Sequence, residues 1–308
     1  MSSRTLGVVL FLISFPIPTL ADEAPAKEKA PEAAKVVPPY PTASNEPLEA
    51  KESVVKEADQ HTQLRVEFKG IKGDRVPAFL YIPKRKDKEP LPAVLLQYGI
   101  GGNKTTSYIV GMGKQFVERG FVVLTIDAPD VGERKTKDKK VPAVLGLFGG
   151  DQIMQYCGDY SRAIDFLVTR PEVDKERLGY VGISWGAITG VTFVAYEPRI
   201  KVMASIVGGG NFLGTYTADA IEKNSKSSDP VFHVARISPR PLLFINATKD
   251  QMVLRLWSES LHKAAGPGAK VTWLETDHYF RGVNREDVCN TMIDFVEKSV
   301  PAKKDTPK

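Results

Sequence analysis

The stretch "RLGYVGISWGAITGVTFVAY", residues 177 to 196, constrains the fold more than any other part of the chain. Its first half is apolar on both alternations, as expected of a strand covered on both faces. Its second half reads as a helical segment. Gly182 and Gly186 remove side-chain bulk on either side of the junction, which lets the strand turn sharply into the helix. Such a turn leaves the Ser184 hydroxyl exposed at the carboxyl edge of a sheet, close to a helix N-terminus.

Strand-like runs recur along the chain: "TQLRVEFKG" (62–70), "VPAFLYIP" (76–83), "AVLLQY" (93–98), "FVVLTID" (121–127), "LGYVGIS" (178–184), "KVMASIV" (201–207), "PLLFINA" (241–247) and "VTWLET" (271–276). Helical stripes lie between them. Ile109, Met112, Phe116 and Val117 mark one, Ile153, Cys157, Tyr160, Ile164 and Leu167 a second, and Val288, Met292, Phe295 and Val296 the last. Two leading strands read as a hairpin, and strands then alternate with helices. The pattern predicts an α/β fold with a mainly parallel sheet of about eight strands and helices on both faces. Between Val207 and Pro241 there is room for a small cap or long loop, so no large cap domain is expected.

The N-terminus carries Arg4, an apolar run from Leu6 to Ile17, and small residues at Thr19 and Ala21. That order predicts a signal peptide over 1–21, cleaved near Ala21, and a secreted or periplasmic protein. The run is too short to span a bilayer, for which roughly 20 residues are needed. Residues 22–60 are rich in Ala, Pro, Lys and Glu and are expected to be a disordered linker. The catalytic domain is then 61–301, and 302–308 is a basic tail. A net charge of +5 is spread over several loops without a stripe of interleaved aromatics, so a nucleic-acid footprint is not expected. Cys157 and Cys289 each sit in a helical apolar stripe and read as free thiols.

A serine hydroxyl needs a base to become a nucleophile. Of four histidines, only His278 follows a late strand on the same sheet edge as Ser184, whereas His61, His233 and His262 lie before strands or within a helix. Asp250 follows "PLLFINATK" and is the expected acid. Asp277 is too close to His278 in sequence to orient its ring, and Glu275 belongs to the strand. The Trp185 N–H, directly after the nucleophile, and that of Ile100, in the loop "YGIGGNK" (98–104), are the expected oxyanion donors.

With these residues in place, the chain resembles the α/β-hydrolases over about 61–300. The segments "RPEVDKERLGYVGISWGA", "EPRIKVMASIVG" and "SPRPLLFINATKDQMV" are similar to the dienelactone-hydrolase and acetyl-xylan-esterase-like branch. The resemblance implies Ser184 as nucleophile, His278 as base, Asp250 as acid, and Ile100 and Trp185 as oxyanion donors. Two positions depart from the family pattern: Tyr98-Gly99 replaces the usual His-Gly, and serine replaces the cysteine nucleophile of dienelactone hydrolases proper, which points toward ordinary esters.

The expected substrate pocket is formed by Phe148, Phe212, Leu213 and the Trp185 side chain, and Trp185 is expected to limit it to short acyl chains. No metal-ligand cluster and no GxGxxG fingerprint is visible, so neither a metal nor a cofactor is expected. The sequons at Asn103 and Asn246 read as a turn residue and a structural residue. The leading expectation is a secreted serine esterase acting on a small-molecule or carbohydrate ester, such as an acetylated sugar. The alternatives are a prolyl-oligopeptidase-like peptidase, for which the chain lacks the usual propeller, and a silent binding protein on the same scaffold.

Overall fold

The structure is a computed structural model that describes residues 37–42, 45–135, 150–212 and 228–301. Nine strands form one sheet: β1 (Lys51–Glu57), β2 (His61–Lys69), β3 (Arg75–Pro83), β4 (Leu91–Gln97), β5 (Val122–Ile126), β6 (Val173–Ile183), β7 (Ile200–Ile206), β8 (Leu242–Ala247) and β9 (Lys270–Leu274). Their spatial order is β1-β2-β3-β5-β4-β6-β7-β8-β9. The first three strands and the β3–β5 contact are antiparallel, and β5, β4, β6, β7, β8 and β9 run parallel.

Five helices accompany them among the described residues: α1 (Ser107–Glu118), α2 (Gly150–Val168), α3 (Trp185–Tyr196), α4 (Arg255–Ala265) and α5 (Arg285–Ser299). Neighbouring residues of β6 show how the helices divide between the faces, since successive side chains of a strand point opposite ways. A Cβ at Gly179 would meet Val296 of α5 at 3.3 Å. Tyr180, next along, packs on Tyr160 of α2 and Phe193 of α3. Helix α3 is buried along almost its whole length, which explains why its sequence has no polar stripe. None of the described helices is long and apolar enough to cross a membrane.

Chain order reverses at one place. β4 leads outward through α1 to β5, and the chain then returns across β4 to β6 and continues to the far edge. At such a switch point the strand ends splay apart and open a crevice at the carboxyl edge of the sheet. β4 and β6 flank that point.

All eight expected strands are present, together with β1, which was not expected. The linker reading of 22–60 needs correction where the structure describes it, because the described residues from Val37 onward belong to the same compact unit as the sheet. Tyr40 is buried and its hydroxyl donates to the Phe193 carbonyl at 3.0 Å. The Arg162 guanidinium donates to the carbonyls of Glu46 and Pro47 at 2.9 and 3.1 Å. A buried tyrosine, two hydrogen bonds from a buried arginine and the pairing of β1 with β2 hold this segment, and composition carries no sign of them. Residues 1–36 and the tail 302–308 lie outside the described residues.

Candidate active site

Ser184 joins β6 to α3 with φ 51° and ψ −111°. The two glycines beside it are required sterically: a Cβ at Gly182 would fall on the Gly186 backbone, and one at Gly186 would lie 2.8 Å from the carbonyl oxygens of Gln97 and Tyr98. The Gly186 N–H donates to the Tyr98 carbonyl at 3.0 Å, which ties the turn to the end of β4.

Asp250 follows β8 and His278 follows β9, so three strand ends converge on one edge. His278 Nε2 is 3.0 Å from Ser184 Oγ, and His278 Nδ1 is 2.6 Å from Asp250 Oδ2. The other carboxylate oxygen of Asp250 accepts the backbone N–H groups of Met252 and Val253, each at 2.8 Å. Asp250 is thus fixed by its own loop and presents a single oxygen to the ring. All three side chains are largely buried. This is the relay by which a histidine takes a serine proton while an acid holds its tautomer.

The rival groups are placed elsewhere. Asp277 accepts the N–H groups of Tyr279 and Arg281 and pairs with the Arg281 guanidinium, pointing away from the ring. Glu275 pairs with Lys249 at 2.9 Å. His233 bonds Tyr196 and His262 bonds Asn246. Burial pushes the His262 pKa down to about 4, so that ring stays neutral. Cys157 and Cys289 are free and buried, and burial raises both thiols, Cys289 to about 12, which suits neither to nucleophilic attack.

The expected oxyanion donors come to the same place. Trp185 is the first residue of α3, so its N–H lies at the helix N-terminus. A Cβ at Gly99 would lie 3.2 Å from the Ser184 Cβ, so the backbone just before Ile100 runs against the serine. Tyr98 accepts the Ala128 N–H at 2.7 Å through its hydroxyl. Lys104 then anchors the loop: buried, it reaches the equally buried Asp127 at 2.5 Å and Glu133 at 2.6 Å. Asn103 caps its own turn through Thr105, and Asn246 is buried against Gly208 and Ser258, in line with the roles read for both sequons.

The pocket differs from the expected one. The Trp185 indole is buried edge-on against Tyr156, and Phe212 packs on Trp257. Phe148 and Leu213 lie outside the described residues. A cavity of about 570 Å³ instead opens beside Ser184 and His278, walled by α1, α5 and the loop after His278. Tyr108 was missed by sequence reasoning: its hydroxyl accepts the Gly99 N–H at 2.8 Å, and burial raises its pKa so that it remains a phenol. No group of His, Cys, Asp and Glu able to hold a metal ion occurs among the described residues.

Residues 76–298 match the dienelactone hydrolase family. The chain belongs to that family. Among sequence relatives, an uncharacterized protein of Pseudomonas aeruginosa, PA2218, is 32% identical over 46% of this chain and 35% of its own length. Esterase FrsA of Shigella boydii is 29% identical over 47% of this chain and 31% of its own. The matched stretch therefore spans about a third of each of these relatives. Similar solved structures include an acetyl xylan esterase from Paenibacillus sp. R4, with TM-score 0.68 and 18% identity over 83% of this chain and 90% of that one. A cold-adapted esterase from an Arctic intertidal metagenomic library gives 0.64 and 19% over 82% and 99%. These likenesses establish the α/β-hydrolase fold.

Proposed function

We propose that this protein is a serine carboxylic-ester hydrolase. The observation that carries the reading is the Ser184–His278–Asp250 hydrogen-bonded relay at the switch point of a family hydrolase fold. Ser184 Oγ attacks the ester carbonyl as His278 Nε2 takes its proton, and Asp250 stabilises the imidazolium that forms. The Ile100 and Trp185 N–H groups face the developing oxyanion. Collapse of the tetrahedral intermediate expels the alcohol, which receives the proton from His278. Water, deprotonated by the same ring, then attacks the acyl-enzyme and releases the acid.

The expected short-acyl limit relied on the Trp185 indole standing over the nucleophile, and its packing on Tyr156 removes that support. Export is part of the proposal and rests on the Arg4, Leu6–Ile17 and Ala21 pattern; N-terminal sequencing of exported material should begin near Asp22. The mechanism is tested with a fluorophosphonate probe and peptide mapping. Label is expected on Ser184 alone, with ester hydrolysis abolished in a folded Ser184→Ala variant. Label at another residue, or an alanine variant that keeps most of its activity, refutes the assignment.

A further inference from the structure

The cavity beside Ser184 has a shape that the expected pocket residues did not foresee. Helix α1 presents Tyr108, Met112 and Gln115 to it, and α5 presents Arg285, Val288 and Met292. In each helix these residues fall at i, i+3 or i+4, and i+7, which is one stripe of the surface. Both helices begin at the carboxyl edge of the sheet, where the relay stands, and run back along it. Seven residues at 1.5 Å rise give each stripe a length of about 10 Å. Ile183 and Ile206, the last residues of β6 and β7, close the sheet side. At the far end Arg119, the C-cap of α1, bonds Asp294 of α5 at 2.7 Å and also pairs with Glu297, fastening the two helices together.

The result is a cleft, reached from the catalytic edge and tied at its base. Its volume lies in the range of small-molecule sites. The rim is apolar as well: Ile100, Tyr108, Met252 and Tyr279, all bordering the cleft, are among the few large apolar side chains left exposed. The charges stay at the mouth, where Arg285, at the start of α5, donates to the Tyr279 carbonyl at 3.0 Å.

We infer that this cleft binds an apolar chain of the ester substrate, about 10 Å long. The inference rests on the ester-hydrolase reading and names the substrate class for it. An apolar chain fits because Tyr108, Met112, Val288 and Met292 line the cleft on both sides. An octyl-sized chain matches the depth, and a dodecyl-sized chain overruns it. Each methylene taken from water into such a wall adds roughly fourfold to binding, the equivalent of about 0.8 kcal/mol. The chain can belong to the acid or to the alcohol, and the test separates the two.

The test measures kcat/KM for two series with the full chain. One series fixes the alcohol as nitrophenol and varies the acyl group through acetyl, butanoyl, octanoyl and dodecanoyl. The other fixes acetate and varies the alcohol through ethanol, butanol, octanol and dodecanol. One series is expected to rise at least about tenfold from the butyl to the octyl member and to fall at the dodecyl member. That series identifies which half of the ester enters the cleft. Met112→Trp, which fills the cleft midway, should lower the octyl-to-butyl ratio in the same series; a ratio within one protein is insensitive to the folded fraction. Rates that decline from the shortest member in both series overturn the inference, while fluorophosphonate labelling of Ser184 in the same samples leaves the hydrolase reading intact. No hydrolysis together with no label overturns both.

Discussion

Two loops flank Ser184, and they are held by different means. From Tyr98 to Thr106 the chain is fixed from below by buried charge: Lys104 and Asp127 meet inside the protein, the Lys104 N–H also donates to Asp127, and Glu133 closes the pair from the other side. The loop from Glu275 to Asn284 is held without buried charge: the buried Thr276 hydroxyl donates to the Arg281 carbonyl at 2.7 Å, and Phe280 packs on the core. Asp277 accepts the backbone of Tyr279 and Arg281, and Tyr279 and Arg281 are both exposed. The difference follows the chemistry each loop serves. Donors that stabilise developing charge act best when they cannot relax away, so a rigid anchor belongs on the oxyanion side. On the other side, His278 is oriented by the Asp250 carboxylate, at 2.6 Å, and the loop that carries it uses no buried ion pair.

That contrast can be broken in three places. The largest effect belongs to the His278–Asp250 contact: Asp250→Asn should leave the fold intact and cut kcat by about 10⁴-fold. Asp277→Asn, on the surface network, should change it by less than about tenfold. Comparable losses in the two variants, measured at saturating ester with circular dichroism as the fold control, would show that the two carboxylates share the task.

A smaller effect is expected from the buried anchor. Lys104→Met leaves the buried Asp127 carboxyl without its main partner, a loss on the order of 3–5 kcal/mol. For a domain of this size that lowers Tm by roughly 10 °C. Arg281→Met, which removes the matching ion pair from the other loop, should not shift Tm measurably, because exposed pairs contribute little. Equal shifts in thermal unfolding would erase the distinction between the loops.

The smallest effect sharpens the comparison. Tyr108→Phe removes the acceptor of the Gly99 N–H and nothing else, a change of about 1 kcal/mol. Since Gly99 leads into the expected oxyanion donor, kcat should fall by several-fold with KM nearly unchanged. A rise in KM alone would show that Tyr108 serves only as a wall of the cleft and not in support of the loop.

The relay was legible in the sequence because each member follows its own strand, β6 and β8 buried and β9 at the edge, and apolar runs such as "PLLFINA" and "VTWLET" announce those strands. Strand β1 was not legible. Every residue of "KESVVKE" is exposed, so pairing to β2 through the backbone is all that makes it a strand, and no periodicity records that. The pocket was misread for a related reason. Proximity to Ser184 in sequence suggested Trp185, whereas the first turn of α3 points its indole inward, beneath Tyr156. The cleft walls come from helices far apart in the chain. Met112 was taken for an ordinary core position of its helix, as was Met292. Only the sheet order, which brings α1 and α5 to the same face, turns two such stripes into one site.

The backbone at Ser184 has a consequence beyond the reaction. Its left-handed φ lies where a side chain is disfavoured, and a non-glycine residue held in such a region carries about 1–3 kcal/mol of strain. Glycine would occupy the same dihedrals at far less cost. Stability and activity therefore pull this one position in opposite directions. In a population of drifting sequences selected only to stay folded, Ser184 would be among the first residues lost, and the scaffold left behind would be sturdier and inert. Persistence of a serine at this position in other members of a lineage would thus be a record of selection for the hydroxyl, since the fold by itself favours its removal.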